Sequence, residues 1–147
     1  MILLLDDESA RRAELAGGKA SELARLISRG HPVPQGFCVT TRAFSHFIES
    51  AELGDKLARV HGDEAFRDFA ALTRELEALQ TVIRAAALPA GVAGEIETLL
   101  TRLESMFGPE TRWAVRSSAV AEDLAGASFA GQYDTILGVR EIGRAHV

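Results

Sequence analysis

The sequence predicts an α+β fold, with helices in the middle and loop-joined strands towards both ends. Three observations carry that prediction. Short apolar runs suited to strands stand near the N-terminus, "ILLL" at 2–5 and "FCVTT" at 37–41. Two long stretches with helical spacing fill residues 63–107, and a strand–loop–strand pattern occupies 112–139. With 147 residues, 47% of them hydrophobic, the chain is long enough for one modest domain with a packed core.

Taken in order, Ile2 to Leu5 reads as a short buried strand. "GGKASELARLISRG", 17–30, reads as a Gly-Gly turn and then a helix, with Leu23, Leu26 and Ile27 on one face and Gly30 as its stop. The prolines of "HPVPQG" give an extended entry into a strand from Phe37 to Thr41. Thr41 is placed to cap a helix carrying Phe44, Phe47 and Ile48. From Asp63 to Ala87, residues Phe66, Phe69, Leu72, Leu76, Leu79 and Ile83 recur at helical spacing until Leu88-Pro89 interrupts them. Pro89 suits the first turn of a further helix running to about Phe107, with Ile96, Leu99, Leu100 and Leu103 inward, and Gly108-Pro109 ends it. Trp113-Ala114-Val115 then reads as a buried strand, and Tyr133 to Val139 as its companion across a small-residue loop.

Charge and special residues narrow the function. Sixteen Lys+Arg against 21 Asp+Glu give a net charge of −5, which argues against a nucleic-acid coat but leaves room for a small anion held by a local cluster of donors. Cys38 is the single cysteine, so no internal disulfide forms, and it reads as a small buried hydrophobe. The histidines have no metal-ligand spacing, and His31, His46 and His61 read as surface or partly buried fillers. "MILLL" is too short for a signal peptide or a membrane span, so a cytoplasmic protein without a membrane partner is expected.

Two segments combine small residues with a cation. Lys19 follows Gly17-Gly18 in the first turn of a helix, where a positive charge opposes the macrodipole unless an anion sits there. The surroundings are not a Walker A loop, which needs glycine at position 13 and Ser or Thr at position 20; both are alanine. In the second segment Arg116 closes an apolar strand, with its planar fork available to a phosphate. Ser117 and Ser118 add hydroxyls, Gly131 can bring its N–H against a ligand, and Thr135 can add another hydroxyl. An ordinary turn in which Arg116 pairs with Glu122 or Asp123 remains an alternative on the pattern alone. The two segments together suggest one phosphate-binding cleft. A rival reading, a non-enzymatic α+β module that binds a partner through its helical middle, requires the two segments to lie apart.

The last residues stand aside from this pattern. "IGRAHV", 142–147, back-translates as ATC GGA AGA GCA CAC GTC, one frame of a widely used sequencing adapter. The expectation is a natural nucleotide-binding segment over residues 1–140 and a non-native tail over 141–147.

"AGGKASELARL", "VPQGFCVTTRAF" and "WAVRSSAVAEDLAGASFAGQYDTIL", in this order, resemble the N-terminal ATP-binding region of the phosphoenolpyruvate-utilising phosphotransferases. That group includes phosphoenolpyruvate synthase, pyruvate phosphate dikinase and rifampicin phosphotransferase. The resemblance runs from Leu15 to Val139, although the middle helices match only in character. "SFAGQ" resembles the synthase and rifampicin branches more than the dikinase branch. The resemblance implies the first lobe of an ATP-grasp fold. It implies nucleotide contacts by Lys19, Arg116, Gly131 and Thr135, with Gly18, Ser117, Ser118 and Gln132 as lesser candidates. It implies ATP and Mg²⁺ as cofactors, with the metal ligands in a second lobe beyond this sequence. The reaction implied splits ATP into AMP and phosphate and moves a phosphoryl group through a histidine on a separate domain. With those parts missing, the chain alone is expected to be inactive, at best a weak nucleotide binder, and to expose apolar surface on its middle helices.

Overall fold

A computed structural model describes residues 1–61, 68–118 and 135–139. The elements are β1 (Ile2–Leu4), a 3-10 turn (Glu8–Arg11), α1 (Ala13–Ser28), β2 (Phe37–Val39), α2 (Thr41–Ser50), α3 (Gly54–His61), α4 (Phe69–Ala85), α5 (Ala90–Phe107), β3 (Trp113–Arg116) and β4 (Thr135–Val139). Two antiparallel ribbons, β1–β2 and β3–β4, complete the α+β architecture. The expected tail, 141–147, together with Glu122, Asp123 and Phe66, lies outside the described residues.

The first ribbon pairs Ile2 with Val39, Leu3 with Cys38 and Leu4 with Phe37. Its inner side and α1 close a small core of Leu5, Ala16, Ala20 and Cys38, with Leu3, Leu23 and Ile27 around it. The face of α1 in this core is mostly small: Ala16, Ala20, Ser21 and Ala24 are buried, whereas Leu26 is 38% exposed. Small side chains let the helix backbone approach the ribbon closely, which is why the expected Leu23/Leu26/Ile27 face contributes only its edge.

A second core joins α2, α3 and α4 through Phe47, Leu53, Val60, Leu72 and Leu79. Leu53 has no exposed surface. Thr40, rather than the expected Thr41, is the N-cap of α2: its side chain accepts from Ala43 N–H and donates to Met1 O at 2.7 Å. Thr41 is the first helical residue and donates instead to Glu14 O at 2.9 Å. The buried stripe of α4 is narrower than its periodicity suggests. Leu72 and Leu79 are buried, but Phe69 is 81% and Leu76 41% exposed. A helix packed along one side needs only a seam seven residues apart, so flanking apolar positions stay bare. Phe44 on α2 is exposed for the same reason.

Pro89 stands just before α5 as its N-cap residue rather than within its first turn. Val92 and Leu103 are the buried positions of α5, and Gly108 ends the helix with φ 98°. Glu95 on this helix accepts from the α-ammonium of Met1 at 2.8 Å and from Ile2 N–H at 3.1 Å, tying β1 to α5.

The β3–β4 ribbon departs from the expectation of a buried strand. Ala114, Val115 and Arg116 are exposed, as are Thr135 to Gly138. Among the described residues no third strand joins it. The pairing steps from Trp113↔Val139 to Val115↔Ile136, so β4 spends one residue more than β3, and Gly138 (φ 74°) lies in that extra step. Glycine takes this left-handed conformation at little cost, as a β-bulge requires.

Candidate functional site

The Gly-Gly-Lys turn is a break within a helix. Gly17 has φ 75° and ψ 170°, so the turn Ala13–Ala16 is separated from a helix that restarts at Gly18. Gly17 and Gly18 are buried and Lys19 is half-buried. The restart leaves backbone N–H groups of the new first turn without partners in the helix itself.

The R-S-S segment meets this break. Lys19 Nζ donates to Ser117 O at 3.2 Å. Ala20 N–H donates to Ser118 Oγ at 3.2 Å, and Ser118 Oγ donates to Ala16 O at 3.0 Å. The two cation-bearing segments are therefore in contact, contrary to the arrangement an interaction module acting through its helical middle requires. Arg116 lies one residue before Ser117, exposed at the end of β3. Thr135 is its register partner on β4, so the two side chains emerge on one face of the ribbon. Gly131 and Gln132 lie outside the described residues.

Two polar atoms of this segment, Trp113 Nε1 and Ser117 Oγ, are buried and find no hydrogen-bond partner among the described residues. An unsatisfied buried hydroxyl costs about 1–3 kcal/mol, so Ser117 favours any oxyanion that can accept from it. An anion also suits the helix restart and the lysine beside it. The donor set thus fits phosphate oxygens. It does not fit a metal: among the described residues no group of three or more His, Cys, Asp or Glu could hold an ion. The cavities of about 230 Å³ between α3 and α4 and about 130 Å³ beside the 3-10 turn share no residue with this site.

Sequence reasoning missed Gly17 as a residue with its own part in the site and missed the capping by Ser118. The doubled glycine was the available signal. It marks a close approach, and the approaching group is the chain's own Ser118.

The remaining residues singled out by sequence fall into place simply. Cys38 is buried, and its burial pushes the thiol pKa up. His31, His46 and His61 are exposed. Among the described residues no helix is long and apolar enough to cross a membrane.

A Gly-Gly-Lys helix start and an Arg-Ser-Ser strand end thus meet in one place. Residues 13–145 match the family described as pyruvate phosphate dikinase, AMP/ATP-binding domain, and the chain belongs to that family. A probable phosphoenolpyruvate synthase of Methanocaldococcus jannaschii is 39% identical over 95% of this chain and 12% of its own length. A rifampicin phosphotransferase of a Streptomyces species is 47% identical over 92% of this chain and 15% of its own. A phosphoenolpyruvate synthase of Pyrococcus furiosus is 32% identical over 91% and 20% respectively. The chain therefore spans a fifth or less of each of these relatives.

Proposed function

We propose that this chain is the phosphate-gripping part of a nucleotide-binding, ATP-grasp-type lobe in a cytoplasmic ATP-dependent phosphotransferase. The hydrogen bond from Lys19 Nζ to Ser117 O carries the reading, because it joins the two cation-bearing segments. In this reading Lys19 and Arg116 neutralise oxygens of the ATP polyphosphate. Ser117 and Thr135 offer hydroxyls, Ser118 seats the segment against the helix break, Gly18 and Gly131 let backbone N–H groups come close, and Gln132 borders the nucleotide. Phosphoryl transfer depends mainly on positioning and charge neutralisation, which such fixed donors supply. Mg²⁺ accompanies the nucleotide, with protein ligands outside the described residues.

The full reaction proposed splits ATP into AMP and phosphate and passes a phosphoryl group through a histidine on a further domain. The acceptor is pyruvate or another small molecule such as rifampicin, as the names of the relatives suggest. This chain supplies the nucleotide grip and no acceptor specificity.

A chemical-shift titration of the chain with ATP, up to about 10 mM given the weak, millimolar binding a partial site supports, tests the grip. Shifts are expected at Gly18, Lys19, Ala20 and Arg116 to Ser118, from ATP and tripolyphosphate but not adenosine. Lys19→Ala and Arg116→Ala should each weaken them. An unresponsive chain, or equal shifts with adenosine, overturns the reading.

A further inference from the structure

Resting on that reading of the site, we propose that Gly17 and Ser118 form a positioning pair, a latch that holds the strand carrying Arg116 in register with the turn carrying Lys19. The Ser118 hydroxyl bridges the helix break, donating to Ala16 O at 3.0 Å and accepting from Ala20 N–H at 3.2 Å. A hydroxyl has one proton to give, so these two contacts fix its orientation. The Ser118 carbonyl occupies the space in front of Gly17: a Cβ there would lie 2.0 Å from that oxygen and 2.6 Å from Ser118 Oγ. The φ of 75° at Gly17 independently disfavours a side chain. Gly17 thus both opens the helix and leaves room for the segment that closes it.

The consequence is a fixed spacing between two cations from opposite ends of the chain. The contacts bridge sequence separations of 98 and 102 residues. Sliding the R-S-S segment past the turn breaks both Ser118 bonds and the bond from Lys19 to Ser117. A pair of cations held at set spacing favours a chain of phosphates over a single phosphate, because the second contact becomes intramolecular. Ser118 acts through Lys19 and Arg116 and stays seated when the anion binds.

The test uses the chain itself, with Ser118→Ala, Ser118→Thr and Gly17→Ala, and with tripolyphosphate and orthophosphate as probes. Ala20 amide exchange should be about tenfold faster in Ser118→Ala, and near the wild-type rate in Ser118→Thr, which keeps the hydroxyl. Tripolyphosphate affinity should fall about tenfold in Ser118→Ala and Gly17→Ala, and orthophosphate affinity by less than about twofold. Protection of Cys38 from alkylation reports that the neighbouring core is intact. If Gly17→Ala loses that protection, the two Ser118 variants carry the test. Unchanged Ala20 exchange in Ser118→Ala overturns the latch. So does tripolyphosphate binding that depends on Lys19 and Arg116 but not on Ser118 or Gly17, and in that case the phosphate site stands. Tripolyphosphate binding indifferent to Lys19→Ala and Arg116→Ala overturns the phosphate site and the positioning role together.

Discussion

The α-ammonium of Met1 rests 2.8 Å from Glu95 Oε2, a contact between the first residue and the second turn of α5. The hydrogen bond from that ammonium is the main reason the Glu95 carboxyl titrates below its usual range; the Coulombic attraction and the Ile2 N–H add to it. A carboxylate whose pKa is lower folded than unfolded contributes stability above its unfolded pKa and loses it as pH falls through the folded value. Glu95→Gln should therefore lower the urea midpoint at pH 7, and by progressively less as pH falls through the pKa of the folded carboxyl. The pair is exposed, so added salt should shrink the difference. Equal midpoints for wild type and variant at pH 7 in low salt would remove this tie between β1 and α5.

Cys38 should behave as a concealed thiol. It packs with Leu5, Ala16 and Ala20, and desolvation is the first cause of its raised pKa. The neutral form is favoured in the folded chain, so the native thiol resists ionisation above the usual cysteine pKa, and stability declines as pH rises past that point. Alkylation by iodoacetamide at pH 8 should be slow in the native chain and rapid in urea. Rapid native alkylation would contradict the packing of α1 on the first ribbon.

Leu53 and Leu76 offer a contrast between burial and periodicity. Leu53 lies between α2 and α3 with no exposed surface, while Leu76 sits on the regular stripe of α4 yet is 41% exposed. Leu53→Ala should cost about 2–5 kcal/mol by leaving a cavity, and Leu76→Ala less than about 1 kcal/mol. Denaturant unfolding of both variants measures this; equal costs would mean that α4 is seated differently.

Thr40 and Thr41 make a similar pair at the start of α2. Thr40→Ala removes a cap and the bond to Met1 O, and should cost about 1–2 kcal/mol. Thr41→Ala removes only an exposed bond to Glu14 O and should cost about 0.5 kcal/mol or less. Thermal unfolding should show the larger loss at Thr40.

These contrasts show which parts of the fold were legible in the sequence. The helix from Ala90 to Phe107 was readable at both ends, because proline and glycine punctuate it locally. The cap of α2 was misplaced by one residue, because two adjacent threonines carry equal local signals and only the contact with Met1 distinguishes them. Phe69 and Leu76 keep helical spacing but face outward, because spacing sets a direction and only neighbours decide what covers it. At the candidate site, Lys19 and Arg116 were readable as cations set among small residues. The meeting of Ala20 with Ser118 was not, since a contact across 98 residues leaves no local mark. The expectation that Arg116 ends a buried strand failed: among the described residues no third strand joins the β3–β4 ribbon, and Ala114 to Arg116 are exposed.

The irregular step at Gly138 bears on how this chain behaves at high concentration. A straight two-stranded hairpin carrying Val115, Ile136 and Leu137 at the surface would invite neighbouring molecules to stack along it. The extra residue bends and twists that surface, so successive copies cannot lie flat against one another. The same small irregularity that offsets Trp113 from its neighbour makes this ribbon a poor template for edge-to-edge stacking.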